Sequence, residues 1–303
     1  MKHLLIAGGT GFIGYHLSLK FKKAGWKVTS LYISKPKKKR LVKGINYIKI
    51  DLTNSHQIKR KLQGKFTHVV NLSGHTRNLY LKKFKKKIYE SHFLGTKNLI
   101  NFFLNKKINS FVQIGSSAEY GNHKDPQKES DLCRPKNIYG KSKLKATKYA
   151  LKTFYKFKFP VNVLRLFQVY GPLQGDNRVV SQLMRYCIQN KKFPTSDGKQ
   201  VRDFCYVDDV VRAIYLLLKK NNIFGKIINI GYGKGTTIKN LIVNIQKVTK
   251  GGKPQYGLFK LRNHENPVLV PSISLAKKTL HWQPKINLTD GLRKTKNSLI
   301  KNG

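Results

Sequence analysis

"LLIAGGTGFIG", residues 4–14, carries an apolar strand-like run into a glycine loop and on into a helical pattern. Gly8, Gly11 and Gly14 recur every three residues, and Gly9, Gly11 and Gly14 also satisfy G-x-G-x-x-G. Glycines here permit a tight turn and let the main chain approach a pyrophosphate, whose charge the N-terminus of the following helix stabilises. The motif is weak alone and gains weight from the strand before it and the helix after it. The reading is a dinucleotide site; the bland alternative is a merely tight strand-to-helix turn.

Outward from this loop, "HLLIAG", "KVTSLYI", "INYIKI", "THVVNL", "SFVQIG" and "VNVLRLF" are short apolar or β-branched runs bounded by turn residues. Helical stretches separate them at about residues 12–24, 54–63, 79–105 and 138–157, the last entered through Arg134-Pro135. The alternation predicts an α/β fold, a Rossmann-type doubly wound parallel sheet with helices on both faces. After about residue 168 the rhythm becomes irregular, with "YGPLQGDN", "TSDGKQ" and "TKGGKP" marking long loops. The expected division is a dinucleotide-binding domain over 1–168, with about 200–230 returning to it, and a smaller C-terminal α/β substrate lobe over 169–199 and 231–303.

The chain has 303 residues, 40% of them hydrophobic, which is enough for a real core and excludes a disordered tail protein. With 61 Lys+Arg against 13 Asp+Glu the formal charge is +48, so the surface attracts polyanions. The basic runs "KPKKKR" (35–40) and "KKFKKK" (82–87) read first as solvated faces. Cys133, Cys187 and Cys205 are odd in number with no CxxC, and the histidines lack metal-ligand spacing, which implies a reducing compartment and no metal. No apolar run approaches the ~18 residues of a membrane helix. The expected localisation is cytoplasmic, with a weak anionic membrane-surface contact left open.

Dinucleotide sites for NAD place an acid near the end of the second strand, for the ribose hydroxyls. Residues 26–40 contain no Asp or Glu, and Ser34, Lys35 and Lys37 stand where a 2′-phosphate would lie, so the reading leans to NADP over NAD. Asp51, ending the third strand, is placed either to meet the adenine amino group or to cap the next helix. The cofactor-contacting set extends to Phe12 and Ile13 at the helix start, Leu52 beside Asp51, and Leu72 and Ser73 after the fourth strand.

"GGTGFIG", "DLTN", "NLSG", "GSSAEYG", "YGKSK", "RLFQVYGP" and "RDFCYVDDV" follow one another in this order. In this the chain resembles the extended short-chain dehydrogenases/reductases, in the epimerase/dehydratase branch that acts on nucleotide sugars, over nearly its whole length. Tyr139 and Lys143, at i and i+4, share a helix face, so the ammonium can lower the phenol's pKa from about 10 toward working pH. Tyrosinate then becomes a usable general base. The resemblance implies that Ser116 or Ser117 binds the substrate oxygen, with Ser116 favoured by counting back from Tyr120.

Family dehydratases carry an adjacent Asp-Glu pair just after the serine or threonine; this chain has Ala118-Glu119 in that region, which argues against a 4,6-dehydratase. A 4-epimerase or 4-ketoreductase working at C4 of a nucleotide-linked sugar or deoxysugar remains. Gln168 stands where the family usually has Asn, and Arg178 and Arg202 are implied donors to the substrate diphosphate. Asp203, Asp208 and Asp209 are expected to orient that arginine, cap the next helix and tie the lobes together. His75 either lines the sugar site or is a surface-loop histidine, and His92 replaces the family's usual Asn, a change expected to alter packing beneath the active site without an evident mechanism. Family members are commonly homodimers, which the resemblance extends to this chain. The rival reading is a Rossmann scaffold that binds RNA or an anionic membrane surface without turnover; the complete Ser, Tyr and Lys set speaks against it.

Overall fold

The computed structural model describes residues 2–34, 36–76, 82–121, 126–220, 222–259 and 266–302. Two compact units divide the chain: Met1–Asn122, Glu129–Leu166 and Val211–Ile228 form one, and His123–Lys128, Phe167–Val210 and Asn229–Gly303 the other.

In the first unit, β1 (His3–Ala7), β2 (Lys27–Tyr32), β3 (Asn46–Lys49), β4 (His68–Asn71), β5 (Ser110–Ser116) and β6 (Val161–Leu166) alternate with helices. The helices are α1 (Phe12–Lys23), α2 (Ser55–Lys61), α3 (Lys85–Tyr89), α4 (Gly95–Leu104) and α5 (Ile138–Phe157). Strands pair in parallel from β3 through β2, β1, β4 and β5 to β6. A last strand, Ile227–Ile230, completes a seven-stranded sheet beside β6.

Side chains alternate between the two faces of a strand. On one face Leu5, Val69, Phe111, Val161 and Val163 pack with Ile58, Leu99, Ile100, Phe103 and Ala150 of α2, α4 and α5. The alternate residues Leu4, Ile6, Val70, Val112 and Leu164 are also fully buried, as double coverage of a parallel sheet requires. Strand order reverses between β1 and β4, so the carboxyl ends of these two strands flank the crevice where doubly wound sheets hold ligands.

Three boundaries differ from expectation. The helix expected over 138–157 spans those residues, but it is entered from the Asn137 cap and not through Arg134-Pro135: Arg134 is held in a bridge to Gly121 and donates its N–H to the Tyr120 carbonyl. The helix expected over 79–105 is interrupted. Residues 77–81 lie outside the described residues; a 3-10 turn at Lys82–Phe84 follows, then α3, a π-turn at Glu90–Leu94 and α4.

The third difference concerns the return to the sheet domain, which starts at Val211 rather than near residue 200. In the second unit, β7 (Gln168–Tyr170), β8 (Lys192–Pro194) and β9 (Val201–Tyr206) precede the strand Ile227–Ile230, here β10, which is followed by β11 (Gly235–Thr237), β12 (Lys253–Gln255) and β13 (Val268–Leu269). β9 pairs with β7, β11 and β13, which keeps residues 201–206 in that unit. Its helices include α6 (Val179–Ile188), and α7 (Val207–Leu218) runs on into the first unit. Trp282 is fully buried in the second unit and donates its indole N–H to the Asp209 carbonyl oxygen at 3.0 Å.

Candidate active site

The glycine loop closes on itself before α1 begins. The N–H groups of Gly8 and Gly9 donate to the Leu31 carbonyl at 3.0 and 3.2 Å, and Gly11 N–H donates to the Gly8 carbonyl at 3.0 Å. Gly8 has φ +80°, and a β-carbon on Gly14 would stand 2.4 Å from the Gly8 oxygen, so both positions need glycine. Phe12 and Ile13 open α1, whose N-terminus has no side-chain cap and no acid in its first turn. The positive end of the helix dipole is thus left for an anion, and the residues fit a dinucleotide pyrophosphate.

Leu72 and Ser73 wall this loop: a β-carbon on Gly8 would stand 3.1 Å from their main-chain atoms. Ser73 is fixed in turn by Asn71, whose side-chain oxygen accepts from the Ser73 N–H at 3.1 Å and from its hydroxyl at 2.6 Å. Asn71 donates to Thr96 and Gln113 from its amide nitrogen. Asp51 uses Oδ1 to accept from both the N–H and the hydroxyl of Thr53, while Asn54 caps α2, so Asp51 shapes the turn rather than capping the helix itself. Leu52, beside it, is buried. Ser34 is exposed after β2, and Lys35 lies outside the described residues.

At the end of β5, Ser116 and Glu119 form a capping box: the Ser116 hydroxyl accepts from the Ala118 N–H at 3.2 Å, and the Glu119 carboxylate accepts from the Ser116 N–H at 2.8 Å. A hydroxyl that accepts from the backbone keeps its own hydrogen to give. Ser117 is buried, whereas Ser116 is half-buried. The second Glu119 oxygen accepts from Arg165 Nε at 2.9 Å, and this pair is wholly inside the protein. The Arg165 guanidinium also lies 4.6 Å from the Tyr120 ring centroid.

Tyr139 is the second residue of α5, whose N-cap Asn137 accepts from the Gly140 N–H at 2.9 Å. A β-carbon on Gly140 would stand 2.4 Å from the Ala118 carbonyl oxygen, so the first turn of α5 is pressed against the serine turn. One turn on, Lys143 is buried and donates from Nζ to the Ile114 carbonyl at 2.8 Å, two residues before Ser116. Burial pulls its pKa down to about 8, while the Glu119 carboxylate acts the other way. Ser116, Tyr139 and Lys143 are therefore gathered at the carboxyl end of β5, two strands from the glycine loop at the end of β1.

His75 is half-buried, and its ring stacks on Phe84 with centroids 5.4 Å apart. His92, which the resemblance puts in the packing beneath the active site without a mechanism, is buried against Tyr139. The second unit contains Gln168, exposed on β7 and paired with Phe204, and Arg178, exposed at the N-cap of α6. Arg202 is buried on β9 and donates from Nη1 to the carbonyls of Val201 and Pro267. The carboxylate of Asp203 accepts from the N–H groups of Tyr232 and Gly233, and that of Asp209 from Lys285 and Ile286, so both acids organise main-chain turns. Burial pushes Asp203 up to about 7 against the pull of those N–H groups. Among the described residues no group of three or more His, Cys, Asp and Glu is arranged to hold a metal ion. No described helix is long and apolar enough to cross a membrane.

A doubly wound sheet with a glycine cradle at one strand end and a Ser, Tyr and buried Lys set at another is the architecture of a dinucleotide-dependent enzyme. The sequence model of the NAD dependent epimerase/dehydratase family matches residues 4–231. The chain belongs to that family. It is 26% identical to a UDP-glucuronate 4-epimerase of Thermodesulfobacterium geofontis over 98% of this chain and 96% of that protein. It is also 26% identical to a human dTDP-D-glucose 4,6-dehydratase, over 97% and 89% of the two chains. The crystal structure of the UDP-glucuronic acid 4-epimerase from Bacillus cereus, in complex with UDP-glucuronic acid and NAD, superposes with a TM-score of 0.87, 26% identity and 99% coverage of both chains. These relatives are named for enzyme activities, and the rival reading of a binding scaffold without turnover finds no support among them.

Proposed function

We propose that this protein interconverts or reduces a nucleotide-linked sugar at C4, as a 4-epimerase or 4-ketoreductase. The observation that carries the reading is the convergence of Ser116, Tyr139 and the buried Lys143 at the end of β5. Bound at the glycine loop, NAD(P) supplies the hydride acceptor and donor. Ser116 donates its free hydroxyl hydrogen to the sugar oxygen, and Tyr139 removes or returns the proton on that oxygen. Lys143 sits one helical turn away, where its ammonium stabilises tyrosinate. Gln168, Arg178 and Arg202 are assigned to the sugar and its diphosphate, for which guanidinium geometry is suited. His75 is assigned to the sugar.

A 4,6-dehydratase must also lose the C6 hydroxyl as water together with the C5 proton, which needs a free acid beside the serine to protonate the leaving hydroxyl. Glu119 is not free: one oxygen is committed to the Ser116 N–H and the other to Arg165. Ala118 offers no proton. This favours epimerase or reductase chemistry over dehydration, although dehydratases are among the relatives.

The family cofactor is NAD. For this chain we assign NADP, because the segment after β2 has exposed Ser34 and Lys37 and no acid to hold ribose hydroxyls. A second copy of the chain is assigned to the outer side of α5, where Lys148, Leu151, Lys152, Tyr155 and Lys156 line an open surface depression.

Fluorescence titration with NADPH and NADH, followed by incubation with UDP-glucuronate, UDP-glucose and a nucleotide-linked 4-keto sugar, tests these assignments. Net oxidation of the reduced cofactor by the keto sugar marks a reductase; epimer formation on retained cofactor marks an epimerase. Tyr139→Phe is expected to bind cofactor normally and lose on the order of 100- to 10,000-fold in kcat. A Tyr139→Phe enzyme with near wild-type turnover sinks the reading.

A further inference from the structure

Outside its own helix, Tyr139 leads back to the loop that follows β4. The imidazole of His92, in the π-turn Glu90–Leu94, lies edge-on to the Tyr139 ring with centroids 5.0 Å apart and planes at 80°. π-turns inside helices are frequent at functional sites. His92 Nε2 is 2.9 Å from the His75 carbonyl oxygen. A carbonyl only accepts, so Nε2 carries the proton and Nδ1 is a bare acceptor. That Nδ1 is buried and has no hydrogen-bond partner among the described residues.

The space for the ring comes from Gly74. At this position φ is +138°, and a β-carbon would stand 2.0 Å from both Nδ1 and Cε1 of His92. Ser91, the preceding residue of the π-turn, accepts from the His75 N–H at 3.0 Å. Consecutive side chains thus hold both the N–H and the carbonyl of His75. On the other side of Gly74, Leu72 and Ser73 wall the glycine loop. The connected path runs from the cofactor loop through residues 72–75 to His92 and then to Tyr139.

We propose that His92 is a positioning residue for Tyr139, fixing the tyrosine relative to the loop 72–75 through ring packing on one side and its bond to His75 on the other. This rests on the reading of Tyr139 as the acid/base. The charges around the imidazole agree with such a role. Burial, with the Lys143 ammonium adding to it, pulls the pKa of His92 down to about 3, against the hydrogen bond to His75. Lys143 from α5 and His75 from the loop are the titratable groups that act on it. The ring therefore stays neutral and adds no second cation beside Lys143. An asparagine at 92 would retain a donor for the His75 carbonyl but would place no ring against Tyr139.

The test uses the full-length protein. A near-ultraviolet difference titration of wild type against Tyr139→Phe reads the ionisation of this one phenol, with no substrate required. In the His92→Ala background the same difference is expected to move up by about one pH unit or more, since a loosened phenol loses part of its interaction with Lys143. His92→Ala is expected to lower kcat on the order of 10- to 100-fold at similar KM with the nucleotide sugar that is turned over, and His92→Asn to recover less than half of that loss.

Gly74→Ala is expected to lose fold stability through its clash with the ring. Adding His92→Ala should relieve that clash and recover part of the stability, the strain of a β-carbon at φ +138° remaining, but not the rate. An unchanged phenol titration in His92→Ala, accompanied by a lower Tm, overturns the proposal and leaves His92 as packing alone. A double variant with restored rate overturns it too. Full turnover by Tyr139→Phe would instead remove the underlying reading of the tyrosine, so the two failures are distinguishable.

Discussion

The cradle at the end of β1 and the cluster at the end of β5 solve different problems with different atoms. The cradle is made of backbone and of missing side chains: Gly14 exists to let the Gly8 carbonyl approach, and α1 is left without a cap. The cluster is made of side chains drawn from β5 and the turn after it, β6, α5 and the π-turn, and it depends on a buried carboxylate, a buried guanidinium and a buried ammonium. A backbone site tolerates any sequence that preserves its turns. A side-chain site fails when one partner of a buried pair is removed.

The sharpest way to break the comparison is Arg165→Met. It leaves the Glu119 carboxylate buried and unpaired, a loss of roughly 3–5 kcal/mol of stability in denaturant melts. Adding Glu119→Leu is expected to recover part of that stability while turnover stays low, because the Ser116 N–H then loses its acceptor. Equal stability of wild type and Arg165→Met would mean that the pair is solvated in solution.

Gly14→Ala strikes the cradle. Its β-carbon meets backbone rather than a flexible side-chain end, so an overpacking cost of about 1–3 kcal/mol is expected, together with weakened NADPH and NADH binding in fluorescence titrations. The Tyr139 phenol should titrate as in wild type. If its titration moves, the two regions are coupled through the loop 72–75 more strongly than packing implies.

Acid should act on the buried histidines, His92 beside the cluster and His68 at the start of β4, outside both regions. Burial, with Lys2 adding to it, pulls His68 down to about 4, and His92 lies at about 3. The unfolded chain's imidazoles titrate near 6.5, so between these values the unfolded state binds more protons than the fold. Their contribution to stability is complete above about pH 6.5 and is lost as pH falls through 4 and then 3. Thermal melts across this range should show Tm declining with acidity, less steeply in His68→Phe. Parallel declines in both proteins would place the acid sensitivity elsewhere.

The smallest effect is expected from Asn137→Ala, which removes the α5 cap and costs about 1 kcal/mol with little change in the phenol titration. A large kinetic effect from this exposed cap would show that the first turn of α5 positions Tyr139 by itself.

Much of the fold was legible because its determinants are local. The glycine spacing after an apolar strand, the alternation of strand and helix, and the span of α5 over 138–157 all follow from short-range pattern. Only the entry to α5 was misread, at Arg134-Pro135, because Arg134 is held by Tyr120, a partner fourteen positions away that no capping pattern announces. The π-turn escaped for a related reason. Residues 79–105 have helical character throughout, and the interruption is stabilised by contacts to the loop at residue 75.

Taken alone, the sequence determined the layered α/β sheet, the glycine loop and the tyrosine and lysine on one helix face, because turn chemistry and helical period act over a few residues. The tertiary structure alone decided which acid is spent on an ion pair, that Lys143 is buried, and that His92 stands between Gly74 and Tyr139. Burial, desolvation and pairing depend on residues brought together from distant strands, and no local window contains them.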